Sequence, residues 1–155
     1  TIMLEDFFIS YKEALLEPSE FIESIVIPKP SNQDRLITHK ISKRFEDDIS
    51  AVCMAMNVKS KESIPHSVKI GFGGMSGIPQ RAIELEKVFL NNWDKDALVS
   101  AAYEALDNEF TPFSDVRASS EYRLKVSAAL VKKSSLMLKG IPVEDLAHYS
   151  ELQSS

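Results

Sequence analysis

ISAVCMAMNVK, residues 49–59, is the stretch on which the fold turns. Its alanines and methionines favour a helix, and Asp48 just before it is a helix-capping residue type. A strand buried on both faces also reads as an unbroken apolar run, so periodicity alone leaves both open. The neighbouring segments look extended. In FIESIVIP (21–28), Phe21, Ile25 and Ile27 share one parity and Ile22 and Val26 the other, with Pro28 and Pro30 ending a predicted strand. KPSNQDR (29–35) is a polar loop, and ITHKISKR (37–44) continues as a second strand. Beyond the ambiguous run, KSKESIP (59–65) is turn-like, and SVKIGFGGM (67–75) alternates Val68, Ile70 and Phe72 as a further strand.

The two flanks of this region are helical in pattern. Leu4, Phe7, Phe8, Tyr11 and Leu15 recur at helical spacing, which predicts a short helix or turn that stops before Pro18. Pro79 suits a first helical position, and RAIELEKVFL (81–90) carries apolar residues on one face. Asp94 reads as the cap of the next helix, with Trp93 and Leu98 as a hydrophobic staple, running to about Leu106. NEFTPFSDVRAS is a loop, and a long helix from about Ser119 to Lys139 ends at Gly140 with Pro142 beyond. Strands followed by helices predict an α+β fold: a small antiparallel sheet of three to four strands packed with about three C-terminal helices. The expected divisions are a connecting segment (1–28), the domain proper (29–140) and a polar tail (141–155).

Composition narrows the function classes. The 155 residues, 44% hydrophobic and 26% charged, suffice for one domain with a real core. No apolar run approaches the roughly 20 residues of a membrane-spanning helix, and residues 1–20 lack a signal-peptide pattern, so the chain reads as cytoplasmic. A net charge of -5 argues against a nucleic-acid or anionic-membrane partner. Cys53, the single cysteine, excludes a cysteine-built metal cluster and reads as a small buried hydrophobe. His39, His66 and His148 lack metal-ligand spacing and read as surface or loop residues. GFGGMS (71–76) has the strand-before, helix-after context of a dinucleotide fingerprint. Its third glycine position is Ser76, GIP intervenes before the helix, and no second parallel strand follows. It reads instead as a glycine-rich strand end where backbones approach closely. Asp115 reads as a cap or ion-pair partner near the last helix start, Arg123 as a bridge between elements, and Leu124, Ala128, Val131 and Leu138 as core face.

Three blocks, KISKRFEDDISAV (40–52), IGFGGMSGIPQRA (70–82) and TPFSDVRASSEYR (111–123), resemble the C-terminal part of the FAD-binding domain of molybdenum hydroxylases. DFFISYKEALLEPSEFIESIVIP (6–28) resembles the segment leading into it, so that four blocks in order cover roughly residues 4–139. SKR followed by EDDIS resembles the xanthine dehydrogenase branch, especially the small iron–sulfur/FAD subunit of bacterial enzymes. The resemblance implies residues 49–59 as strand and residues 29–140 as the flavoprotein C-terminal domain. It implies FAD shared with an upstream half that this sequence does not contain, so that the chain looks like a piece of a longer subunit. It further implies two [2Fe–2S] clusters and molybdopterin held elsewhere in the full enzyme, and NAD as electron acceptor. Residue by residue, Ile22 matches an apolar FAD contact, Lys40 a lysine beside FAD, and Asp47 an acidic residue of the mobile loop near the isoalloxazine. Alternatives are another molybdenum hydroxylase, acting on an aldehyde, carbon monoxide or a heteroaromatic, and a non-catalytic docking domain.

Under that resemblance the charge reversal in KISKRFEDDIS (40–50) has a physical use. A fixed cation near a flavin stabilises its reduced form and a carboxylate disfavours it. A unit charge about 4 Å away is worth on the order of 1 kcal/mol in water and about 4 at an effective dielectric of 20. From charge alone, the same residues are a solvated turn with local pairs.

Overall fold

A computed structural model of the chain describes residues 1–44 and 48–143. Its elements in chain order are α1 (Leu4–Phe7), β1 (Phe8–Ser10), β2 (Glu13–Ala14), β3 (Asp34–Ile41), β4 (Val52–Lys61), β5 (Ile64–Gly73), β6 (Gln80–Arg81), α2 (Ile83–Asn92), α3 (Leu98–Glu109) and α4 (Ser120–Leu138). From Val52 onward the run at 49–59 is therefore strand, with residues 49–51 leading into it, and the burial of the strand alternates. Val52, Met54, Met56 and Val58 are buried, while Cys53 and Ala55 are exposed. The alternation was hidden because the outward residues are small rather than polar. Cys53 thus corrects the expectation of a buried hydrophobe.

β3, β4, β5 and β6 form one antiparallel sheet in that order. Its inner face meets the helices, where Met54, Met56, Ile70 and Phe72 pack with Leu85, Phe89, Leu98, Leu106, Leu124 and Val131 in one core. Among the described residues, no helix covers the outer face in the same way. Register places Lys40 opposite Cys53 and Cys53 opposite Gly73, with Thr38, Ala55 and Gly71 aligned in the next row. Leu36 on the same face is 67% exposed. Small side chains in the middle of this face leave it shallow.

Local chemistry sets the ends. β4 and β5 join through Glu62 and Ser63, both at positive φ (52° and 67°), the backbone of the two-residue hairpin turn that matches strand twist. Where β6 diverges from β5, the buried Glu86 accepts from the Ile70 N–H at 2.9 Å and so replaces a strand partner. The Ser119 side chain caps α4 by accepting from Tyr122 N. At the other end Gly140 (φ 71°) sends its N–H to Met137 O and the next N–H, of Ile141, reaches Leu136 O, a Schellman stop.

Several expectations differ from the structure. The opening segment makes only one helical turn before the β1–β2 hairpin. Residues 21–28 form no strand: alternation needs a pairing edge, and this segment pairs with none among the described residues, leaving Phe21, Ile25, Val26 and Ile27 exposed. Pro79 precedes β6 rather than opening a helix. α3 begins at Leu98 with Ala97 in the capping position, because the turn before it closes on backbone bonds, Lys95 N to Asn92 O and Leu98 N to Lys95 O. Trp93 ends α2, half-buried, under the Lys139 ammonium at 5.6 Å. His39 lies on β3, half-buried, with Nε2 3.1 Å from Ser134 Oγ; His66 is exposed on β5 and His148 lies outside the described residues.

One-sided burial of β4 predicts a sharp parity effect. Met54→Ala should lower stability by about 2–5 kcal/mol, and Cys53→Ala by no more than about 0.5, in urea unfolding. Equal losses at the two positions would contradict the register.

Candidate functional site at one end of the sheet

Three connections gather at the end of the sheet where β3 and β5 finish and β4 begins, their described residues being 42–44 with 48–51, 74–79 and 110–119. Arg123, on the first turns of α4, is 1% exposed and reaches all three. One terminal guanidinium nitrogen donates to Ala51 O and, at 2.8 Å, to Gly74 O; the other terminal nitrogen donates to Asp115 Oδ1 at 2.8 Å, and Nε has no partner among the described residues. The guanidinium also lies 5.2 Å from the Phe113 ring centre. Gly74 has to be glycine here, for its φ is 84° and a Cβ would collide with Ala51 O. The glycine-rich strand end therefore makes room for backbone and guanidinium, which is the close-approach role expected of it.

Asp115 in turn organises the loop before α4. It accepts from the N–H groups of Arg117 (2.8 Å) and Ala118 (3.1 Å) and pairs with the Arg117 guanidinium at 3.1 Å. Burial pushes its carboxyl up, but those N–H groups and the Arg123 and Arg117 side chains outweigh burial and hold it far below the usual carboxylate range.

The charged connection after β3 is tied to this loop. Its neck is closed by Ala51 N donating to Ile41 O at 2.7 Å, and Lys43 Nζ donates to Val116 O. Asp48 accepts from the N–H of Arg44 and of Ile49, both at 2.9 Å. The Arg44 N–H foremost lowers the Asp48 pKa, against burial, with help from Ile49 N–H and the Arg44 and Arg117 charges. Between the two connections lies an open cleft of about 410 Å³, lined by Ile41, Ser42, Lys43, Arg117 and Tyr122 among others.

Lys40 stands just before this neck, exposed on the outer sheet face beside Cys53, and has no ion pair among the described residues. Ile22 is 54% exposed in the irregular segment between β2 and β3, and Asp47 lies outside the described residues. The structure thus puts Lys40 next to residues 42–44 and 48–51 and leaves Ile22 on a separate irregular segment. The bridging role of Arg123 was expected; its two carbonyl partners were not, and the only sequence signal for them was a glycine at 74 and an arginine at 123. Among the described residues, no three His, Cys, Asp or Glu side chains group to hold a metal ion, and no helix is long and apolar enough to cross a membrane.

Residues 37–138 match the family described as the CO dehydrogenase flavoprotein C-terminal domain. The chain is 26% identical over 115 residues to the glyceraldehyde dehydrogenase medium chain of Sulfolobus acidocaldarius, covering 74% of this chain and 40% of that protein. It is 32% identical over 95 residues to the xanthine dehydrogenase/oxidase of Mus musculus, covering 59% of this chain and 7% of that one. Its fold is similar to the reconstituted CO dehydrogenase from Oligotropha carboxidovorans, with a TM-score of 0.71 at 25% identity over 83% of this chain and 45% of that chain. The chain spans less than half the length of these relatives.

The carboxylates of this fold predict its acid response. Asp115 is held far below the ordinary value near 3.8, and Asp34, through the Ser31 hydroxyl first and then Ser31 N–H and Asn57, is lowered to about 2. A carboxyl with a depressed native pKa adds stability above its unfolded pKa, and loses it as pH falls through the native one. The urea midpoint should hold from about pH 7 to 5 and fall below about pH 4. Asp115→Asn should be less stable at neutral pH, with the difference from the parent narrowing in acid. A difference that stays constant down to pH 3 would show that Asp115 does not contribute as an anion.

Proposed function

Because this chain belongs to the CO dehydrogenase flavoprotein C-terminal domain family, we propose that it forms one wall of the FAD site of a xanthine dehydrogenase-like molybdenum hydroxylase. The observation that carries the reading is the outer face of the sheet. Lys40 projects an ammonium group there, beside a shallow row of Cys53 and Gly73, and the charged 42–51 connection starts two residues later.

The fit to a flavin is that of a wall. A face with glycine, alanine and cysteine at its centre admits a flat ring or another backbone, and Lys40 supplies a cation at its edge. The glycines at 73 and 74 do not form a phosphate cradle, since Gly74 is closed off by Ala51 O and Arg123. The diphosphate of FAD would thus be held by an upstream half, with residues 1–28 as the connecting segment, 29–140 as the flavoprotein C-terminal domain and 141–155 as a polar tail. The exposed Phe21, Ile25, Val26 and Ile27 are apolar surface for that upstream half to cover.

FAD, when bound, would supply the electron transfer between iron–sulfur clusters and NAD. Lys40 would hold a positive charge beside it, Ile22 would offer an apolar contact, and Asp47 would hold a negative charge on the connection after β3. The chain would perform no covalent chemistry. Two [2Fe–2S] clusters and molybdopterin would belong to the remainder of a cytoplasmic iron–sulfur/FAD subunit, as in the bacterial enzymes, and to a molybdenum subunit or domain. Neither nucleic acid nor membrane is a proposed partner. Proteins named for glyceraldehyde and for xanthine match this chain alike, which fits a wall whose work is independent of the substrate oxidised elsewhere.

In the complete flavoprotein, Lys40→Ala should lower the flavin reduction potential and Asp47→Ala should raise it. A single charge in a partly exposed site is worth about 1–3 kcal/mol, or on the order of 20–65 mV for a two-electron couple. Redox titration of both variants checks this, and shifts of the same sign would show that the stretch is only a solvated turn.

A further inference from the structure

We propose that Arg123 is a positioning residue for the flavin wall: through Asp115, Ala51 O and Gly74 O it sets where the charged connection after β3 stands. This rests on the wall reading above and adds a residue that touches no cofactor in it.

The argument starts from what each bond fixes. The connection has a neck, where Ala51 N donates to Ile41 O, and Arg123 holds the same residue through its next peptide group by donating to Ala51 O. The second bond of that guanidinium nitrogen, to Gly74 O, locks the neck to the end of β5. Its other nitrogen holds Asp115, and Asp115 shapes residues 115–118 by accepting from Arg117 N and Ala118 N. That shaped turn presents Val116 O, to which Lys43 is clipped, and places the Arg117 charge near Asp48. One buried side chain thus registers both the root of the charged connection and the platform on which its lysine rests. Because the energy between charges falls inversely with distance, doubling a separation of about 4 Å halves the influence of any charge on the connection. Lysine cannot replace this residue, since a point charge on a flexible stem does not span three acceptors in a plane.

The test uses the complete flavin-loaded protein with Arg123→Lys and, in case that variant fails to fold, Asp115→Asn. Lys40→Ala serves as the reference for the wall itself. Hydrogen exchange is read on peptides covering residues 41–52 and on peptides from α2 and α3, and the flavin midpoint potential is measured on the same samples. Exchange in 41–52 should accelerate by about tenfold while α2 and α3 stay within about twofold, and the potential should move. Unchanged exchange in 41–52, or acceleration spread evenly over the domain, would overturn the proposal. So would local acceleration with a potential that stays put while Lys40→Ala moves it. If Lys40→Ala leaves the potential unmoved as well, the wall reading fails first and the positioning role falls with it.

Discussion

A guanidinium buried where three connections meet must be satisfied where it stands, because an unpaired charge away from water is strongly unfavourable. Arg123 meets that condition at its two terminal nitrogens with one carboxylate and two backbone carbonyls, each from a different segment, while its Nε is buried without a partner among the described residues. The requirement propagates outward. Ala51 has to turn its carbonyl inward at the start of β4, Gly74 has to adopt positive φ without a Cβ, and Asp115 has to stay ionised. The glycine-rich strand end and the charged stretch, well separated in sequence, are parts of one construction around α4.

The second constraint is one-sided burial. Helices cover the inner face of the sheet, so the outer face is where another molecule or segment can sit without dismantling the core. Lys40 is on that outer face because it is one residue out of phase with Ile41, which packs against the core. The same parity brings Cys53 out beside it. The exposed face and the core-packed face are separated by a single residue of register, and a slip of one would exchange them.

How much of this could be read from the sequence depends on how local the cause is. The long last helix was legible because its serine cap, apolar stripe and terminating glycine all lie in or directly beside it. The helix start at Leu98 was misplaced because backbone bonds in the preceding turn do the work that Asp94 was expected to do. The segment 21–28 has a strand's alternation and no edge to pair with among the described residues, which no local pattern reveals. For the site, the charge reversal after β3 and the bridging character of Arg123 were legible from residue type. That Arg123 reaches Ala51 and Gly74 was not, since those partners are 72 and 49 residues away and are backbone atoms. The exposed row on the outer face was masked by the small, uncharged residues that make it shallow.

The central claim, that the outer face around Lys40 is the one covered when the flavin site is complete, is tested most directly by the thiol of Cys53. This side chain is exposed on that face, opposite both Lys40 and Gly73. Alkylation can be followed by mass spectrometry of the peptide containing Cys53, in this chain alone and in the complete flavin-loaded protein under native conditions. The account predicts that labelling slows by about tenfold or more in the complete protein, the mark of a residue taken out of solvent. Equal labelling rates in the two would contradict it, because the face would then be open to solvent in the assembly that it is said to build.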